Sequence, residues 1–290
     1  MPRTCVLVLL MLLARAAAAP AQITTGTVAG TVKDPQGAVV PGATVTLVSE
    51  TRGTSLAPVL SNEAGDFVFV NIPADTYTIE IALSQFKSLR RTGVPVSAGD
   101  RVAVGTLTIE VGGAAETVDV RGEAPVIQAN SGERSYTIST DSVENLPIAN
   151  RSFTALATLA PGVNGLARIG GGGTTFVMMD GISAIDTGSN GAPILQMNVE
   201  SIAEVKMLTS GYQAEYGRSS GLQITAVTKS GTNRFRGSLY DVERNSDWNS
   251  NSKVNTLNGD PKPVTKERDW GFSIGGPVGK PGGNNRLFFF

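Results

Sequence analysis

Apolar and polar positions alternate with a period of two along most of the first third of the chain. Val28 and Val32 fall on one side of Thr25–Lys33, Val45 and Leu47 on one side of Ala43–Glu50, and Phe67 and Phe69 on one side of Asp66–Asn71. Tyr77, Ile79, Ile81 and Leu83 share a face of Thr76–Leu83, and Val102–Val111 supplies a last strand. Turn signals separate these runs at Asp34-Pro-Gln-Gly37, Pro41-Gly42 and Asn62-Glu-Ala-Gly65. Strands with one apolar face need a second sheet to cover it, so the pattern predicts an all-β sandwich over 25–111. Asp34, Glu63, Asp66 and Asp75 adjoin the turns, where carboxylates cap backbone amides, and they lack the spacing of a calcium loop.

The pattern changes after a small-residue linker at Gly112-Gly-Ala-Ala115. Glu116–Val120 alternates briefly. Asp141, with Glu144 three residues on, predicts a capped helix that Leu146-Pro147 closes. Ser152 predicts a second cap, with Phe153, Leu156 and Leu159 on one face until Pro161-Gly162. Strands are predicted over 175–179, 203–208 and 222–228, with Asp180-Gly181 turning out of the first and Asn198 capping a helical turn. Gly170–Gly173 lacks the Lys-Ser/Thr of a phosphate loop and reads as a turn. Residues 112–232 are therefore expected to form a compact mixed α/β region.

Beyond residue 233, Phe235, Gly237 and Leu239 alternate with Arg236, Ser238 and Tyr240. After a polar stretch, Trp270, Phe272 and Ile274 share a face, and Arg286–Phe290 opens another strand. Periodicity alone suits soluble β-structure with core aromatics better than a membrane barrel, although aromatic residues near strand ends also fit an interfacial girdle. Leu287-Phe-Phe-Phe290 ends the sequence on an apolar run. Two or three strands cannot close a barrel, so the 290 residues are expected to be the N-terminal part of a longer protein.

Composition then narrows the chemistry. There is no histidine, and the one cysteine is Cys5, which argues against His-ligated metals, His-dependent triads and disulfide stapling. No Ser-x-x-Lys or acid pair sits in a convincing pocket pattern, so no catalytic residue and no cofactor is expected. The 24 basic and 25 acidic residues give no general argument for nucleic acid. Arg3, the apolar run Cys5–Leu13 and Ala19-Pro20-Ala21 form a secretory signal over 1–21, with cutting before Gln22.

Two resemblances add to this reading. Gly30-Thr-Val-Lys-Asp-Pro-Gln-Gly37, Val40-Pro-Gly-Ala-Thr-Val-Thr-Leu47 and the stretch from Asn62 through Phe67, Phe69, Pro73 and Tyr77 to Ile79 resemble the carboxypeptidase-regulatory-like domain. That family implies a transthyretin-like sandwich without catalytic activity.

Farther on, Asn145-Leu-Pro-Ile-Ala-Asn-Arg-Ser-Phe153, Leu159-Ala-Pro-Gly162 and Phe176-Val-Met-Met-Asp-Gly181 resemble the plug of TonB-dependent outer-membrane receptors. So do Val199-Glu-Ser-Ile-Ala-Glu-Val205, Ala214-Glu-Tyr-Gly-Arg218 and the run Gly221–Asn233. The combination resembles the Oar-like branch of that family. It implies a mainly β fold in three parts: a sandwich over 25–111, a linker and mixed α/β plug over 112–232, and the start of a transmembrane β-barrel over 233–290. Complete members have about 22 barrel strands. The resemblance implies a Gram-negative outer-membrane location, the sandwich in the periplasm, outer-membrane lipid and a TonB-type energy-coupling complex as partners, and gated passage of a substrate. It leaves the substrate open, peptide or protein included.

Glu116, Thr117, Val118, Asp119 and Val120 resemble the TonB-contacting segment, and an ordinary linker strand explains them equally well. Asp119 departs from the commoner hydroxyl or apolar choice. Arg151, Glu204, Glu215 and Arg218 are candidates for plug–barrel contacts, with local structural pairing as the alternative for each. A movable plug is expected to be held by polar, separable contacts rather than a greasy core. The competing function is an exported β-modular adhesion or scaffold protein without transport activity.

Overall fold

The computed structural model describes residues 25–112, 117–121, 132–146, 152–164, 167–168, 175–186, 194, 197–213, 216 and 221–290. The predicted signal, Gly170–Gly173, Glu116, Arg151, Glu215 and Arg218 lie outside these residues. The chain divides into two compact units; residues 49–54 and 229–290 make up the second. Among the described residues no helix is long and apolar enough to cross a membrane, which says nothing about crossing by strands.

The first seven strands are β1 (Thr25–Lys33), β2 (Thr44–Ser49), β3 (Val59–Leu60), β4 (Asp66–Pro73), β5 (Asp75–Ala82), β6 (Ser88–Val96) and β7 (Arg101–Thr108), and β8 (Thr117–Arg121) follows. They form one sheet in the order β4-β1-β7 and another in the order β3-β2-β5-β6-β8. The alternating residues meet between these sheets. Val28, Val32, Val45, Leu47, Phe67, Phe69, Tyr77, Ile79 and Ile81 are all buried in one cluster. Asp34 and Asp75 act as caps: Asp34 Oδ1 accepts from the amides of Gln36 and Ala38, and Asp75 Oδ1 from that of Thr76, whereas Asp66 Oδ1 accepts from the Thr31 hydroxyl. Gly65 closes the Asn62 turn at φ +77°, where a Cβ would strike the Val32 carbonyl oxygen.

β6 escaped the sequence reading. Its segment, Ser-Leu-Arg-Arg-Thr-Gly-Val-Pro-Val, has adjacent arginines, a glycine and a proline that punctuate the alternation. Leu89, Val94 and Val96 nevertheless face the core, and β6 pairs antiparallel with β5 and parallel with β8.

A second five-stranded sheet has the order β13-β12-β15-β14-β9. Its strands are β9 (Arg134–Ile138), β12 (Phe176–Met179), β13 (Ile182–Ser183), β14 (Ile202–Ser210) and β15 (Gln223–Thr228); β10 (Val163–Asn164) and β11 (Ala167–Arg168) pair separately. β9 is an edge strand, antiparallel to β14, with Arg134 opposite Ser210 and Ile138 opposite Val205. Helix α1 (Thr140–Asn145) has Ser139 at its N-cap, so it starts ahead of the predicted Asp141 cap. The second helical stretch, Phe153–Leu159, is a 3₁₀ helix. Phe153 and Leu156 are buried but Leu159 is exposed, and Ser152 makes no side-chain cap. Asn198 caps as predicted, its Oδ1 accepting from the Glu200 amide.

This region has a substantial apolar centre of its own; the polar, separable contacts expected of a movable plug concern what holds it in place. Ile138, Val143, Phe153, Leu156, Val177, Ile202, Val205, Met207, Leu222 and Ile224 pack on one face of the sheet, and Phe176, Met178, Leu208 and Tyr216 on the other.

In the second unit, β16 (Arg236–Asn245) and β17 (Lys266–Pro277) form an antiparallel hairpin, and β18 (Phe288–Phe289) pairs with β17. These three strands form no closed barrel. Helix α2 (Lys253–Asn258) lies in the long β16–β17 connection.

Ile79 is fully buried between the sandwich sheets. Ile79→Ala is expected to lower stability by about 2–5 kcal/mol through the lost apolar contacts and the cavity left behind. Denaturant unfolding of the mature chain, followed by tryptophan-independent far-UV dichroism, measures this.

Candidate functional site

Three places carry chemistry that the folding of the separate sheets does not require. The first is a seam in the first unit between the β6–β7 turn of the sandwich and strand β14. β14 is buried on both faces, so its even-numbered residues Glu204, Lys206 and Leu208 leave the side occupied by Val205 and Met207 and point the other way. Lys206 is 1% exposed. Its Nζ lies 2.7 Å from Asp100 Oδ1 and donates to the Ala98 carbonyl at 3.3 Å. The Ala98 amide in turn donates to Glu204 Oε1 at 2.9 Å. Asp100 is fixed within the turn, where its Oδ2 accepts from the Ser97 amide. Arg101 reaches across to Gln213 Oε1 at 2.7 Å.

Burial raises the Glu204 pKa above the ordinary 4.5, and the nearby Asp100 carboxylate pushes the same way. The Ala98 amide, the Ser97 side chain and the Lys206 ammonium act against that rise. Folding therefore favours the neutral form of Glu204.

Of the four residues nominated for plug–barrel contact, Glu204 alone has a described side chain, and it lies against the sandwich. Arg151, Glu215 and Arg218 lie outside the described residues. Asp100 and Lys206 were missed. The available signal was the spacing Glu204-x-Lys206 within an apolar strand, which puts two charges on one face of a buried element.

The second place is β8, which contains the segment nominated for partner contact. Ser88, Leu89, Arg90, Arg91 and Thr92 of β6 lie opposite Thr117, Val118, Asp119, Val120 and Arg121. Val118 packs against the sandwich core, while Asp119 is exposed. Glu116 falls outside the described residues.

The third place is the hairpin, whose two faces differ in chemistry. Leu239 lies opposite Phe272, Gly237 opposite Ile274 and Asp241 opposite Trp270, so these residues share one face. Leu239 is 85% exposed and Phe272 74%; Trp270, Ile274 and Phe235 are exposed as well. This apolar band covers about six residues of strand, roughly 20 Å. It ends in charge, where Arg268 grips Asp241 through Nε at 3.0 Å and through a second nitrogen at 2.5 Å. The opposite face carries Arg236, Ser238, Tyr240 and Arg244. Ser238 and Ser273 share a 2.7 Å hydroxyl contact, and Arg244 lies 3.5 Å from Glu267. Tyr240 covers Gly271, where a Cβ would meet its ring.

No group of three or more His, Cys, Asp or Glu side chains suited to a metal occurs among the described residues. A depression of about 280 Å³ is lined by Arg134, Ser135, Tyr136, Pro161, Gly162, Thr209 and Ser210. It falls below the ~300–1,000 Å³ of ordinary ligand pockets.

Residues 27–110 match the family described as carboxypeptidase regulatory-like domain, and residues 227–290 match the outer membrane beta barrel domain. The TonB-dependent transporter Oar of Myxococcus xanthus is 28% identical over 296 aligned residues, which cover 92% of this chain and 26% of that protein. The chain is distantly similar to TonB-dependent transporters. It spans about a quarter of that relative's length. Among solved structures, the 5-hydroxyisourate hydrolase of Klebsiella pneumoniae is 22% identical, with 30% of this chain and 92% of that chain covered at a TM-score of 0.24. The TIE protein of Bacillus anthracis is 12% identical, covering 71% and 34% at a TM-score of 0.26. Superpositions this weak fix neither fold nor function.

Two outcomes are expected at the seam. Asp100→Ala leaves the buried Lys206 ammonium without its carboxylate and should cost about 3–5 kcal/mol in denaturant unfolding, with Asp100→Ala/Lys206→Met milder than the single change. The raised pKa of Glu204 means that its stabilising contribution is complete below about pH 4.5 and is lost as pH rises through the higher folded value. Glu204→Gln should therefore flatten that part of the melting-temperature profile, gaining on the wild type as pH rises and matching it near pH 4.5.

Proposed function

We propose that the chain serves in a TonB-dependent outer-membrane receptor of the Oar type. The sandwich (25–111) lies in the periplasm, the linker and central α/β region (112–232) act as the plug, and 233–290 begins the barrel wall. The observation that carries this reading is the two-faced β16–β17 hairpin. A soluble protein would cover an apolar band containing Leu239, Trp270, Phe272 and Ile274 with a second layer. A barrel strand pair instead turns such a band to lipid and its polar face to the lumen. The position of Trp270 beside the Asp241–Arg268 pair fits the boundary between hydrocarbon and headgroups.

Within this reading the chain is not an enzyme. The similarity to a transporter family supports that statement. The partners are outer-membrane lipid and a TonB-type energy-coupling complex acting through Glu116–Val120. Substrate passes when traction on that segment rearranges the plug. Arg151, Glu215 and Arg218 are assigned to plug–barrel contacts. Glu204 serves the sandwich seam and is open to the same role once the seam parts. The substrate class is left unassigned.

Expression of the intact gene in a Gram-negative host is expected to place the product in the outer membrane, with a mobility on gels that changes on heating. Entirely soluble periplasmic product would overturn the reading. Leu239→Arg on the lipid face should cost about 2–4 kcal/mol of membrane folding stability, whereas Ser238→Arg on the lumen face should be tolerated. Urea titration of the refolded protein in lipid vesicles compares the two.

A further inference from the structure

We infer that the sandwich is an intramolecular clasp for residues 117–121, and that capture of this segment by the energy-coupling partner exchanges β6 for a strand of the partner. The inference rests on the receptor reading above. It adds a regulatory role for the sandwich, to which that reading assigns only a location.

The occupant of the sheet margin is visible. β8 runs parallel to β6 in an unbroken five-residue register from Ser88–Thr117 to Thr92–Arg121. The chain is brought there by its own exit from the sandwich. The Lys87 amide donates to the Glu110 carbonyl at 2.8 Å, Lys87 Nζ lies 3.5 Å from Glu110, Phe86 bridges Val111, and the Gly112 amide donates to the Gln85 carbonyl at 2.9 Å. These contacts hold Gly112 beside the start of β6, so the segment five residues later meets β6 at high effective concentration.

The clasp is strong enough to form and weak enough to exchange. It has one described apolar anchor, Val118, and Asp119 stands in solvent beside Arg90 on the outer face. A short parallel pair at a sheet margin is the less stable kind of pairing. A partner that recognises an extended segment reads its main chain along one edge and alternate side chains in pockets. Here the edge facing β6 is taken and Val118 is turned into the sandwich. A partner must therefore lift Val118 out, and its apparent affinity is reduced by the fraction of molecules in which the clasp is open.

The clasp can be locked reversibly because Cys5, in the predicted leader, is the chain's sole cysteine. Arg90 and Asp119 are register partners exposed on the same face. In the intact gene product purified in detergent, Arg90→Cys/Asp119→Cys is expected to cross-link on oxidation. The probe is the purified periplasmic domain of the host's TonB-type protein. The oxidised form should bind it at least tenfold more weakly than the reduced form, and reductant should restore binding. Leu89→Ala, at the register partner of Val118 on β6, weakens the anchor while leaving the captured segment intact; it should bind about threefold or more tightly than wild type and speed amide hydrogen exchange at 117–121. Failure of the cysteines to cross-link, or equal binding by the oxidised and reduced forms, overturns the clasp and leaves the receptor reading standing. Absence of binding by wild type and reduced variant alike overturns partner coupling itself, and the clasp's regulatory role with it.

Discussion

The Lys206–Asp100 ion pair is the constraint on which the arrangement of the first unit depends. Lys206 has almost no access to water, so its ammonium must be satisfied by the sandwich turn: the Asp100 carboxylate supplies the charge and the Ala98 carbonyl a further acceptor. Such a pair adds little net stability over well-packed apolar residues, but removing either half is expensive. Sliding the seam would part the ammonium from its carboxylate and leave a buried charge unmet. Glu204 alters the same seam through its own protonation, since its carboxyl is more easily buried neutral than charged.

The apolar faces of the sandwich were legible because period-two alternation and turn residues agree at β1, β2, β4, β5 and β7. One strand of the sandwich's five-stranded sheet was harder. β6 carries Arg90-Arg91, Gly93 and Pro95, which mask an alternation that only its pairing with β5 and β8 makes necessary. α1 began ahead of the predicted cap because Ser139 and Asp141 are both acceptable N-cap types, and sequence alone does not rank them. At the seam, Glu204 could be nominated from its setting, but its partners lie about a hundred residues away in a turn. Local patterning carries no information about such a meeting.

The hairpin shows how one pattern acquires two meanings. Phe235, Leu239, Phe272 and Ile274 alternate as core residues would, and periodicity favoured soluble structure. Their exposure in the folded unit is what the proposed membrane reading rests on, because the face is fully formed and nothing within the unit covers it. The inner face is stitched by small hydroxyls and a tyrosine packed on a glycine. That chemistry suits water or a polar lumen better than hydrocarbon.

The edge position of β9 sets how the central sheet responds to mechanical load. A tug from the N-terminal side reaches Arg134 first, at the end of the β9–β14 ladder. Arg134, Ser135, Tyr136 and Thr137 are open or only half covered, so early separation sacrifices little apolar contact. Ile138, buried opposite Val205, is where resistance rises. The domain thus has a compliant lead followed by a stop, and the length of that lead is written in the burial of five consecutive residues.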